Sequence, residues 1–257
     1  MCKAFLINLL ILSSLLLGKI SPVLAEYQTS VSTGVDYSTG DYGDSSDTEI
    51  WYFPLSVKLD TLDFVYKVTV PHIQITGPGT VVGPNATPAD GDNQTTTESG
   101  MGDVIAAISY ALFPYQPDEV FIELTGKVKF PTADENKRLG TGEYDYSFQV
   151  DGFYSAGMFG IFTTLGYKIY GDPPGIDYKN GSYYSLGGSY SLTHRFSLGL
   201  AYDFKEAATQ RSEDQKELTA FASKKLSNKF KILGYLVKGL SDGSPDWGLG
   251  FNISYIL

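Results

Sequence analysis

From Tyr27 onward the chain alternates apolar and polar residues with a period of two, and this pattern recurs to the last residue. Successive side chains of a strand point to opposite faces, so the alternation predicts strands with one apolar and one polar side. In the first, Tyr27, Thr29, Val31, Thr33, Val35 and Tyr37 share one face. The second carries Trp51, Phe53, Leu55, Val57 and Leu59, and the third Phe64, Tyr66, Val68 and Val70. The fourth is predicted from Val104 to Leu112, and the fifth sets Val120, Ile122, Leu124, Gly126, Val128 and Phe130 against Glu123, Thr125, Lys127 and Lys129. Seven more follow, near Tyr144–Asp151, Phe159–Ile169, Tyr184–Leu192, Phe196–Phe204, Leu218–Ala222, Phe230–Leu240 and Trp247–Leu257. The strand at Phe230–Leu240 is apolar on both faces, so its orientation stays open.

The connections alternate as well. Short ones are predicted near Asp60–Asp63, Pro114–Asp118, Tyr154–Gly157, Thr193–Arg195 and Ser227–Lys229. Long ones are predicted at Gly40–Asp47, Gly77–Gly102, Pro131–Glu143, Gly171–Asn180, Lys205–Lys216 and Ser241–Asp246. An even number of strands with short turns at one end and long loops at the other predicts an all-β fold: a 12-stranded antiparallel transmembrane β-barrel of the bacterial outer membrane. The outward aromatics support this. Tyr37, Trp51, Phe130, Tyr144, Tyr184, Phe204 and Trp247 fall at the long-loop end, and Phe64, Tyr110, Phe159, Tyr190, Phe230 and Tyr255 at the other. Two aromatic girdles around an apolar band suit the two interfaces of a lipid bilayer. A soluble sandwich would have no reason to sort its aromatics this way.

Residues 1–25 read as a cleaved secretory signal peptide: Lys3, an apolar stretch to Leu17, and Val23-Leu24-Ala25 before the cut. The remainder, 26–257, reads as a single barrel domain with both termini in the periplasm. Its sole cysteine, Cys2, lies in the removable segment, so disulfides cannot hold the exported chain. A formal charge of −10 over 257 residues disfavours nucleic acid as a partner. The expected partners are outer-membrane lipid and lipopolysaccharide, through Lys137 and Arg138, and the barrel-insertion machinery through the C-terminal strand.

The polar faces point into the lumen. The candidates for lining a transport path are Lys67, Glu123, Lys127, Lys129, Asp145, Asp151 and Lys168, with Tyr170, Tyr183 and Phe162 also inward. Pairing the fifth and sixth strands through the Pro131–Glu143 loop sets Lys129 opposite Asp145, Lys127 opposite Ser147, Thr125 opposite Gln149 and Glu123 opposite Asp151. The last is a like-charge pair, which calls for a nearby lysine such as Lys67 or Lys168. Such charges serve equally as a structural ladder or as a constriction that sorts solutes. The Gly77–Gly102 loop is long enough to fold inward as a partial plug or to stay outside.

No catalytic or metal site emerges. His72 and His194 have no local serine and acid to complete a triad. The acidic loop residues Asp41, Asp44, Asp47, Glu49, Asp90, Asp92 and Glu98 are oxygen-rich but lack EF-hand spacing. No enzyme activity and no cofactor is expected.

The segment Leu124-Thr-Gly-Lys-Val-Lys-Phe-Pro-Thr-Ala-Asp134, followed by Gly140-Thr-Gly through Asp145, resembles the central hairpin of the MetA-pathway family of phenol-degradation outer-membrane proteins. Ser241-Asp-Gly-Ser-Pro-Asp-Trp247 with the closing strand is similar to the same family. The resemblance implies an outer-membrane transporter or channel, in some members tied to aromatic substrates, and supplies no catalytic motif. The expectation is a channel passing small solutes, aromatic or hydrophobic ones included, through a narrow polar lumen. Its rival is a closed structural or surface-binding barrel with acidic extracellular loops.

Overall fold

The computed structural model describes residues 27–83, 86–89, 94–112, 120–210 and 212–257. The predicted signal peptide, the Pro114–Asp118 turn and the loop acids Asp90 and Asp92 lie outside them. Twelve wall strands are β1 (Gln28–Gly40), β2 (Thr48–Asp60), β3 (Phe64–Gly77), β4 in two segments (Thr96–Met101 and Val104–Ala111), β5 (Val120–Phe130) and β6 (Asp145–Ala156). They continue as β7 (Phe159–Ile169), β8 (Gly181–Thr193), β9 (Phe196–Lys205), β10 (Gln215–Lys225), β11 (Phe230–Gly239) and β12 (Trp247–Ile256). Each pairs antiparallel with its sequence neighbours, and β1 pairs with both β2 and β12, which closes the barrel. Closure leaves no unpaired edge, as a wall in hydrocarbon requires.

The faces follow the alternation. Leu55, Val57, Ile161, Leu165, Leu186 and Leu200 are exposed on the outside. The outward charges of the described strands, Glu49, Lys216, Lys224 and Lys238, all lie next to a strand end. At the long-loop end Tyr37 packs on Trp51 and Trp247, and Tyr184 stacks on Phe204 at 4.8 Å. At the short-turn end Phe64 meets Tyr110, Phe159 meets Tyr190, and Phe230 meets Tyr255. The girdle residues thus touch ring to ring between neighbouring strands. β11 is oriented by its pairing: Phe230, Ile232, Leu236 and Lys238 face out, while Lys231, Leu233 and Tyr235 are buried inside.

The long β3–β4 connection departs from expectation. β4 begins at Thr96 rather than Val104, because Thr97, Ser99 and Met101 form an outward face too polar to show as an apolar stripe. The break between its segments has a cause in β3. Pro71 has no N–H to donate, and a proline interrupts a ladder. Opposite it the chain leaves the ladder at Gly102–Asp103, with the Gly102 N–H donating to the Pro71 carbonyl at 2.9 Å. Above this break, Val81–Val82 and Thr87–Pro88 pair as a small hairpin that folds inward. Val81 and Ala86 pack with Ile50, Ile73, Ile75 and Leu139. Of the two placements open to this loop, its described part takes the inward one.

Candidate functional site

The polar side of the lumen is built on β5, β6 and β7. Their register pairs Glu123 with Asp151, Thr125 with Gln149, Lys127 with Ser147 and Lys129 with Asp145, as the sequence predicts. Lys129 Nζ sits 3.1 Å from Asp103 and 3.4 Å from Asp145, and donates to Thr141 Oγ1 at 2.8 Å. Asp145 also takes Lys168 at 3.0 Å, and Lys168 in turn lies 3.9 Å from the centre of the Tyr170 ring. Further down, Lys127 donates to Gln149 Oε1, as does the Tyr183 hydroxyl at 2.9 Å. Asp151 accepts from Gln149 Nε2 at 2.5 Å and from Thr164 Oγ1 at 2.6 Å. A buried polar group left without a partner is costly, and these groups pair within two neighbouring clusters, one around Asp145 and one around Gln149 and Asp151.

Six of the seven candidates fall into these two clusters, Lys129, Asp145 and Lys168 in the first and Glu123, Lys127 and Asp151 in the second. Lys67 does not: it faces Lys58 across the β2–β3 ladder. The expectation that Lys67 or Lys168 neutralises the Glu123–Asp151 pair is corrected. Lys168 is committed to Asp145; the lysine near both carboxylates is Lys127, and the Thr125 hydroxyl reaches each of them at 3.4 and 3.5 Å. The sequence also gave no sign of Asp103, which the β4 break turns inward to meet Lys129. An odd acid beside a glycine in a long loop carries no strand period to betray it.

An apolar patch also lines the lumen, more extensive than the inward Phe162 alone would predict, although Asp203 and Lys205 on β9 and Glu217 on β10 are buried on the same inner face. Tyr52, Phe162, Ala201, Phe221, Leu233 and Tyr235 form one buried cluster contributed by β2, β7, β9, β10 and β11. Four inward rings each face a glycine directly across the ladder: Phe162 faces Gly187, Tyr183 faces Gly166, Phe221 faces Gly199 and Tyr235 faces Gly250. A Cβ at any of these glycines would overlap the ring opposite. The missing side chains let the rings lie flat on the wall instead of projecting across the lumen. This is the inward parity of the same strands, a signal legible for Phe162 and Tyr183 and missed for Phe221, Leu233 and Tyr235.

The pairing yields a test. At Gly166 the three atoms a Cβ would meet first all belong to the Tyr183 ring and hydroxyl. Gly166→Ala is expected to push that ring into the lumen and break its hydrogen bond to Gln149, at a cost of about 1–2 kcal/mol. Conductance through a refolded barrel should fall, and Gly166→Ala/Tyr183→Ala should restore it. An unchanged conductance in the single variant would mean that the ring does not border the path.

At the long-loop end the loops knit together over the mouth. The Tyr178 hydroxyl donates to the Pro88 carbonyl at 2.8 Å, and Tyr170, Tyr178 and Ala208 pack as a cluster. Between the loops is a cavity of about 210 Å³ bordered by Tyr42, Thr80, Ala86, Lys205, Glu213 and Gly243. Arg138 lies over Gly79 rather than reaching outward, whereas Lys137 is exposed. Asp41 and Asp44 accept from the nearby Gly43 and Ser45 N–H groups, and no group of three metal-ligating side chains converges among the described residues. His72 faces outward against Phe53, and His194 is exposed in a turn. Neither borders the lumen.

Residues 45–257 match the family described as "Putative MetA-pathway of phenol degradation". Among solved structures the chain is similar to the COG4313 outer membrane channel from Pseudomonas putida F1, with a TM-score of 0.72 at 14% identity over 93% of this chain and 100% of that one. It is also similar to the KdgM porin (TM-score 0.55, 10% identity, 88% and 98% coverage). The translocator domain of the autotransporter NalP from Neisseria meningitidis gives a TM-score of 0.56 at 10% identity, covering 98% of this chain and 95% of that domain. At these identities the similarity establishes the fold. No curated protein matches the sequence.

Proposed function

The chain belongs to the MetA-pathway family of phenol degradation, and from that premise we propose that it is an outer-membrane channel passing small solutes, aromatic and hydrophobic ones among them. The observation that carries this reading is a lumen that offers both polar and aromatic surface. Hydrogen-bonded polar clusters on β5–β7 share the lumen with an aromatic patch whose rings lie over glycines. A closed barrel has no need to flatten its interior rings, whereas a path for a flat apolar solute does. Lys127, Lys129, Lys168, Glu123, Asp145 and Asp151 would form the polar wall of that path, with Lys67 at its short-turn end. Residues 1–25 would be removed on export, the short turns and both termini would face the periplasm, and the C-terminal strand would be read by the insertion machinery.

Single-channel conductance of the refolded, signal-free protein in a planar bilayer tests the reading. Discrete steps are expected, with selectivity shifting toward cations in Lys127→Glu, and a smaller shift in the same direction in Lys127→Met. An inserted barrel without conductance would overturn the channel and leave the closed barrel, the reading that the inward hairpin at Val81–Pro88 favours.

A further inference from the structure

At the short-turn end of the lumen lysines face lysines. Lys58 is directly opposite Lys67 on β2 and β3, and Lys225 is directly opposite Lys231 on β10 and β11. All four occupy inward positions. Like charges directly opposite on adjacent strands repel, so one such pair is unusual and two at one end of a lumen need a reason. Local acids supply only part of it. Lys58 reaches Asp60 at 2.8 Å. The ammonium groups of Lys67 and Lys225 have no ion pair or hydrogen bond among the described residues.

The wall between the two pairs adds only neutral groups. Lys231 is opposite Ser254 on β12, Ser254 is opposite Ser32 on β1, and Ser30 is opposite Lys58. Lys58 also lies within electrostatic range of both Lys67 and Lys231, which draws the two pairs into one cluster. Lys127 and Glu123, from β5, are the other charges that reach it. A second and independent feature is Asn252 on β12. It is only 4% exposed, its Oδ1 accepts from Ser254 Oγ at 3.2 Å, and its Nδ2 has no acceptor. A buried donor without an acceptor costs stability. Here it sits two residues from Ser254, the direct partner of Lys231.

Beside this donor-rich end lies the apolar patch. Leu233 is two residues along β11 from Lys231, and Tyr235 four. At the strand rise these lie about 7 and 13 Å further up the lumen. On β10, Phe221 stands four residues from Lys225. An oxyanion held by the lysines would therefore leave an apolar body lying along Leu233, Phe221 and Tyr235.

We propose that Lys58, Lys67, Lys225, Lys231 and Asn252 form an anion site at the short-turn end of the lumen, and that it takes the carboxylate of an amphipathic organic acid whose apolar part lies on the neighbouring aromatic patch. This rests on the channel reading above and narrows its solutes to arylalkanoate-like acids. A neutral phenol offers the lysines no charge.

The test uses the refolded full barrel and 3-phenylpropanoate as probe, by calorimetry in detergent and as a blocker in planar bilayers. Binding is expected to be at least tenfold tighter than for neutral 3-phenylpropanol, acetate or inorganic phosphate. It should weaken at least tenfold in Lys67→Met/Lys231→Met and persist in Lys67→Arg/Lys231→Arg. Removing like charges relieves repulsion, so the methionine variant should fold, as its heat-modifiable migration would report. Equal binding of acid and alcohol, or full binding by the methionine variant, would overturn the site. Acetate or phosphate binding as tightly as the probe would overturn the amphipathic solute. Conductance in simple salt reports separately on the channel: its absence alongside lysine-dependent binding would sink the channel and keep the anion site.

Discussion

Replacing Asp145 with alanine is expected to lower the barrel's unfolding stability by about 3 kcal/mol, the lower end of the cost of breaking a buried ion pair. Asp145 is 5% exposed and holds Lys168 at 3.0 Å, Lys129 at 3.4 Å and the Gly171 N–H at 3.3 Å. The loss is borne mainly by Lys168, which is left beside Tyr170. Lys129 retains Asp103, which holds the effect below the upper end of the range. A urea midpoint in lipid vesicles, followed by heat-modifiable migration, measures the change. Asp145→Ala/Lys168→Met should recover most of it, because the stranded charge goes with its partner. A single-variant loss too small to measure would show that water reaches this part of the lumen freely and screens the pair.

The outer surface offers the second large effect. Leu200 sits mid-strand on β9, is 57% exposed, and is opposite Gly188 and Ala220. Neither partner carries a group that could pair with a charge. Leu200→Arg is expected to cost about 2–4 kcal/mol, as an arginine does at the bilayer midplane, whereas Ile169→Arg at the long-loop end of β7 should cost about 0–1 kcal/mol. Both are read by urea unfolding from lipid vesicles. Equal costs at the two depths would mean that the apolar band does not lie in hydrocarbon.

The same physics separates what was legible in the sequence from what was not. A strand's alternation reports which side chains share a face, so the two girdles and the outward band could be read directly. The β5–β6 register could be read too, because one continuous apolar stripe on each strand pins the pairing: a slip of one residue would turn Leu124 and Val150 inward. β11 resisted because its inner face carries Leu233 and Tyr235, which makes both faces apolar. The first half of β4 resisted for the opposite reason, since its outward Thr97 and Ser99 carry no apolar stripe.

The amino-acid sequence by itself determined an antiparallel twelve-stranded barrel, the inside and outside of nearly every strand, and six charged residues of one polar wall. Only the tertiary structure decided how those faces meet across the lumen. Closure of β12 onto β1 brings Lys231 toward Lys58, and the ladder break at Pro71 turns Asp103 onto Lys129. Pairing also lays each inward ring on a glycine of the next strand. The period of two is local to one strand, whereas these meetings depend on stagger and closure summed over the whole wall, which no single strand carries.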